Sequence, residues 1–139
     1  MTEPTRWTLD HIRQHIEEGL PLVPLFNLEV VAAEADRAVL RLVEGPHVTR
    51  PGGSVAGPIQ FALADVATYA LILAGRHDPG AVTVDLTIHF LRPARTLPLL
   101  AEATPLRAGR RLFLALVRIS EEAGERRLVS QATTTWALS

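Results

Sequence analysis

The chain has no cysteine, which excludes a disulfide framework, a thiolate nucleophile and a zinc–thiolate site. It has almost no excess charge either. Lysine and arginine together number 14 against 15 acidic residues, a net charge of −1, so there is no electrostatic basis for binding nucleic acid or an anionic membrane. No uninterrupted apolar run approaches the roughly 20 residues that span a bilayer. The opening MTEPTRWTLD lacks the charged start and apolar core of a secretory signal. The five histidines show no metal spacing: His11 and His15 lie four apart on one helix, with no third ligand in view. No metal or redox cofactor is expected. Gly52 and Gly53 are wrongly placed for a phosphate-binding P-loop, and Ser54, in RPGGSVAG, does not sit in a G-x-S-x-G elbow. No repeat, low-complexity tract or linker divides the chain. Its 139 residues, 47% apolar and 21% charged, describe a single domain, 1–139, with a proper core. The expectation is a soluble cytoplasmic protein with neither nucleic-acid nor membrane partners.

What is present is one dominant stretch, Gly57–Gly75, reading GPIQFALADVATYALILAG. Gly57-Pro58 suits a first helical turn, where proline's missing N–H costs nothing. From Ile59 to Ala74 nearly every residue is apolar or small, which predicts a helix buried on all sides, with Gly75 as its stop. Asp65 is the only charged residue within it. A carboxylate there is costly unless paired, hydrogen-bonded or protonated, and this makes Asp65 the first candidate for chemistry.

Around that helix the chain reads in order. An N-terminal helix falls within 1–20, capped by Thr8, with Leu9, Ile12 and Ile16 at helical spacing and an end at Gly19. Pro21 and Pro24 predict an extended passage. Leu28–Ala35 and Ala38–Val43 read as strands, followed by a glycine-rich loop over 45–56. Ala81–Leu91 alternates, with Val82, Val84, Leu86, Ile88 and Phe90 on one face and Thr83, Asp85, Thr87 and His89 on the other. Leu97–Leu106 reads as an edge strand or strand ends because of Pro98 and Pro105. A tight turn at Arg107–Arg110 leads to strands Leu112–Ile119 and Leu128–Trp136 about a Gly124 hairpin. The order α-β-β-α-β-β-β-β argues for an antiparallel sheet. An α+β chain in which such a sheet wraps one apolar helix is a hot-dog fold.

Three segments carry a family resemblance: AGPIQFALAD at 56–65, TVDLTIHFLRPA at 83–94 and LRAGRRL at 106–112. In this order and spacing they resemble the PaaI-type hot-dog acyl-CoA thioesterases of the 4-hydroxybenzoyl-CoA thioesterase-like superfamily, over about 28–136. The resemblance implies hydrolysis of an acyl-CoA to CoA and a carboxylate, with CoA present only as part of the substrate. It implies Asp65 as base or nucleophile, the Gly57 N–H as oxyanion donor and the Thr83 hydroxyl as a holder of water. Physical chemistry suits these roles. A helix start offers unpaired N–H groups, and a poorly solvated carboxylate becomes a stronger base. By plain alternation, however, Thr83 faces away from Val82 and Val84. Arg50, Ser54, Ala56, Pro58, Ile59, Phe61 and Tyr69 are the implied acyl contacts. Phe90, Arg92, Arg107, Gly109, Arg110 and Arg111 are the implied CoA contacts, arginine being suited to phosphate.

Eight helical residues separate Gly57 from Asp65 by about 12 Å, too far for both to serve one carbonyl. Antiparallel helices in a two-fold dimer bring one subunit's Asp65 to the other's Gly57, so a dimer or a dimer of dimers is expected. Two positions depart from the family pattern: Ala56 replaces a histidine and Arg50 an asparagine. Both departures favour an alternative reading, a non-catalytic acyl-CoA binding module, whereas the costly Asp65 disfavours it. A hot-dog hydratase or dehydratase, faintly echoed by PGGSVAGP, lacks its histidine beside the helix start.

Overall fold

The computed structural model describes residues 6–139. The first five residues of the expected 1–20 helical span lie outside the described residues. Helix α1 runs Leu9–Gly19, and the Thr8 side chain accepts from the His11 N–H at its start. Ile12 and Ile16 are fully buried. The passage through Pro21 and Pro24 is not extended as expected but forms a four-residue helix, α2, Leu22–Leu25. Pro21 and Pro24 sit at its N-cap and in its first turn, where no N–H is required.

Strands β1 (Leu28–Ala33), β2 (Ala38–Leu42), β3 (Val82–Phe90), β4 (Leu99–Ala108), β5 (Leu112–Glu121) and β6 (Leu128–Ala137) form one sheet in the order β1-β2-β4-β5-β6-β3. Every pairing is antiparallel. The sheet curls around helix α3, Gly57–Arg76, and the fold is the expected α+β hot dog. Strand β4 is interior rather than an edge. Pro98 precedes its first residue, and Pro105 falls at a register irregularity beyond the last pairing with β2, so neither proline removes a needed ladder bond.

Two features of α3 differ from the sequence reading. Gly75 lies inside the helix, which ends one residue later with His77 in the left-handed conformation at φ 54°. A Cβ on Gly75 would stand 3.2 Å from the Ala35 Cα, so glycine there serves a close approach rather than a stop. The helix is also not buried on all sides. Leu63, Ala67, Leu71 and Ile72 are buried, but Pro58, Phe61, Ala62, Asp65 and Tyr69 remain partly or largely exposed. Their spacing makes one stripe. With 20 residues, α3 is long and apolar enough by length and mean composition to cross a membrane, although Gln60, Asp65 and Thr68 interrupt its apolar run. Two-thirds of its most apolar 18-residue window is buried, as in a core helix.

Candidate active site

A bulge decides where Thr83 points. In the β3–β6 register Thr83 lies opposite Trp136 and Asp85 opposite Thr135, so Val84 is an extra residue. The extra residue reverses the alternation. Thr83 therefore shares the helix-facing side with Leu86, Ile88 and Phe90, whose partners Thr134, Ala132 and Ser130 are buried. The face assigned to Thr83 by plain alternation is thus corrected. Its Oγ1 donates to Asp65 Oδ1 at 2.6 Å. Burial pushes the Asp65 carboxyl up, and the Thr83 bond reverses part of that rise; the net direction is upward. A carboxylate in that condition is a stronger proton acceptor than a solvated one.

Asp65 and Thr83 open on a cavity of about 420 Å³ with His15, Leu20, Val66, Tyr69, Pro79, Val82 and Trp136 in its walls. Tyr69 stands one helical turn beyond Asp65 on the same face. Its ring stacks on Trp136 with centroids 5.5 Å apart and planes within 10°. The Tyr69 hydroxyl donates to the Pro79 carbonyl at 2.8 Å and lies 2.9 Å from His15 Nε2. Because the hydroxyl proton is committed to a carbonyl, His15 must supply the N–H of the second bond. Asp78 holds the loop carrying Pro79, accepting from the Gly80 and Ser139 N–H groups.

At the other end of the exposed stripe lies a second cavity of about 450 Å³, lined by Arg50, Ser54, Gly57, Gln60, Phe90, Arg92 and Ala94 among others. The loop before α3 is ordered by bonds from Arg50 N–H to the Ser54 carbonyl and from Gly53 N–H to the Arg50 carbonyl. Gly52 and Gly53 take φ 101° and 89°, which only glycine adopts cheaply. Buried Gln60 ties this loop to the sheet: its amide donates to the Val55 carbonyl and its Oε1 accepts from Ser130 Oγ at 2.7 Å. The Gly57 N–H opens the helix and has no acceptor within it. A Cβ on Gly57 would meet the Phe90 ring at 3.2 Å.

The expected residues therefore fall into groups. Asp65, Thr83 and Tyr69 share the first cavity, whereas Gly57, Arg50, Ser54, Phe90 and Arg92 share the second. Ala56 is the helix N-cap and makes no side-chain bond. Pro58 and Phe61 lie on the exposed stripe. Ile59, expected to line the acyl pocket, is 5% exposed and packs into the core. The expected CoA set divides between opposite ends of the sheet. Phe90 pairs with Ser130, while the turn holding Gly109, Arg110 and Arg111 precedes Leu112, which pairs with Ala137, the partner of Val82. Nine strand residues separate those ends by roughly 25 Å. Arg110 instead lines a small cavity with Arg76, His77 and Asp78, and Arg107 is exposed on β4. Sequence reasoning missed His15, Gln60 and Trp136, which reach the cavities only through tertiary packing.

A curved antiparallel sheet packed round one apolar helix that carries a hydrogen-bonded carboxylate in a cavity wall defines a hot-dog protein. Solved structures agree. Thioesterase Superfamily Member 2 of zebra fish superposes with a TM-score of 0.82 at 27% identity, covering 95% of this chain and 99% of that one. A Haemophilus influenzae thioesterase shares the fold with a TM-score of 0.84 at 23% identity, over 100% and 95% of the two chains. A Saccharolobus solfataricus protein named "Putative esterase" is 30% identical over 127 residues, 88% of this chain and 83% of the relative. The Thioesterase superfamily profile matches residues 52–127, and the chain belongs to that superfamily. It is a thioester hydrolase.

Proposed function

We propose that the protein hydrolyses an acyl-CoA, with Asp65 as general base and a site shared between two subunits. One observation carries the reading: the Asp65–Thr83 pair and the Gly57 N–H occupy separate cavities on one exposed helical stripe, about 12 Å apart along α3. Neither half is sufficient alone. Antiparallel packing of two α3 stripes across a two-fold axis makes two complete sites and covers Phe61, which is 42% exposed in the single chain.

In each site the Thr83 hydroxyl, its proton given to Asp65 Oδ1, accepts from a water through its lone pairs. The free Asp65 oxygen takes that water's second proton as its oxygen bonds to the thioester carbon. The partner's Gly57 N–H receives the developing oxyanion, aided by the positive end of α3. Collapse breaks the carbon–sulfur bond, and the proton held by Asp65 leaves with the CoA thiol. Arg50 and Arg92, beside Gly57, suit contact with anionic parts of the substrate. Two-fold pairing carries one subunit's Arg107, Arg110 and Arg111 to the side of the dimer that holds the other's Phe90 and Arg92, which reunites the expected CoA contacts. A cytoplasmic location fits a CoA ester.

Subunit complementation tests this reading. Asp65→Asn and Gly57→Val each disable one half of every site. Co-refolded in equal amounts, they form a mixed dimer with one intact site, and thiol release returns to roughly a quarter of wild type. A mixture as inactive as its parents, beside an active wild type, refutes sharing. A wild type inactive on every acyl-CoA refutes the substrate class.

A further inference from the structure

Tyr69 crosses the Asp65 cavity from one wall to another. It projects from α3 one turn beyond Asp65 on the same face and is only partly buried, so its ring is accessible where it lines the cavity. Its hydroxyl is held where two other segments meet: it donates to the Pro79 carbonyl at 2.8 Å and lies 2.9 Å from Nε2 of His15 on α1. The ring rests on Trp136 of β6, with planes within 10°. The loop at Pro79 is itself fixed, since Asp78 accepts from the Gly80 and Ser139 N–H groups. Tyr69 therefore swings aside only by giving up two hydrogen bonds and an aromatic stack. The rest of the lining sorts the substrate. Leu20, Val66, Ala81 and Val82 make it apolar, and it contains no arginine. CoA phosphates find no partner there, whereas an acyl chain does.

We propose that Tyr69 is the end wall of the acyl cavity and restricts the protein to acyl chains of about six carbons or fewer. The inference rests on the thioesterase reading of this cavity. The limit follows from the helix: Tyr69 lies one turn, about 6 Å, past Asp65, where the thioester carbonyl must sit. A zigzag chain with bonds of about 1.5 Å advances about 1.3 Å per carbon, so about five carbons beyond the carbonyl fill that distance. Up to that length each buried methylene adds about fourfold in affinity. A longer chain meets a ring that is held in place, and overfilling a fixed cavity opposes binding.

The test measures thiol release from acetyl-, butyryl-, hexanoyl-, octanoyl- and decanoyl-CoA by wild type, Tyr69→Ala and Tyr69→Phe. In wild type kcat/KM is expected to climb to hexanoyl-CoA and to fall at least about tenfold by decanoyl-CoA. Tyr69→Ala removes the wall and is expected to use decanoyl-CoA at least as well as hexanoyl-CoA. Tyr69→Phe keeps the ring and is expected to keep the cut-off. A wild type whose kcat/KM still rises at decanoyl-CoA overturns the proposal, as does a cut-off that survives in Tyr69→Ala. If Tyr69→Ala fails to fold, Tyr69→Leu takes its place, and if neither folds the wild-type series decides. A wild type that releases no thiol from any ester overturns the hydrolysis of acyl-CoA instead. Titration calorimetry with the same esters then reads the wall: affinity that peaks at hexanoyl-CoA in wild type but not in Tyr69→Ala supports it, and the same chain-length dependence in both proteins overturns it.

Discussion

Thr83→Val isolates the bond on which the chemistry of Asp65 depends. The substitution keeps the shape and the β-branching while deleting the hydroxyl that donates to Asp65 Oδ1 at 2.6 Å. A bond to an ionised carboxylate lies at the strong end of the range, but Thr83 is exposed in the single chain, which favours the lower part of that range. The loss is therefore about 1–2 kcal/mol, or roughly five- to thirtyfold in kcat/KM. The direction of the pH effect is also fixed. The Thr83 bond lowers the Asp65 pKa against the upward push of burial, so its removal moves the acid limb of the rate profile to higher pH. Ellman-type detection of released thiol is a clean assay, because the chain has no cysteine. Thr83→Ser restores rate and limb together. An unchanged limb with an unchanged kcat/KM would refute the reasoning.

Three further outcomes follow from the same geometry. Asp65 has a raised pKa when folded, so its contribution to stability is most favourable below its unfolded value of about 3.9 and declines as pH rises through the folded value. Asp65→Asn should then melt no lower than wild type at neutral pH and lose that relative advantage near pH 4, as differential scanning calorimetry would read. Ser130→Ala strands the buried Gln60 Oε1, at a cost of about 1–3 kcal/mol, seen as a fall of several degrees in Tm. Tyr69→Phe removes the link between His15 and Pro79, so KM should rise more than kcat falls in steady-state kinetics.

The legible part of this molecule lay in local pattern. The composition of Gly57–Gly75 identified the central helix, its single charge identified Asp65, and the run of late strands identified an antiparallel sheet. What stayed hidden depended on departures from pattern or on contacts between distant segments. Alternation placed Thr83 on the wrong face because the extra residue at Val84 is visible only in the register with β6. Gly75 read as a stop because glycine so often ends helices, whereas here its missing Cβ admits Ala35. Pro98 and Pro105 suggested an edge, although β4 accommodates them where no ladder bond is required. His15 joins the site through a hydroxyl 54 residues away, and no spacing rule along one strand or helix reaches that far. The separation of Gly57 from Asp65 was readable from helical rise alone, and the structure adds that each group faces its own cavity.

The most direct measurement of the central claim is the rate of thiol release by wild type and by Asp65→Asn across short, long, aromatic and dicarboxylic acyl-CoAs, with oligomeric state followed by light scattering. The account predicts turnover of at least one acyl class by wild type and its loss, at least a hundredfold by the usual scale of a removed catalytic base, in a variant of unchanged assembly. Equal turnover by the two proteins would contradict the role of Asp65. Tight binding of CoA esters by wild type with no thiol release would contradict acyl-CoA hydrolysis.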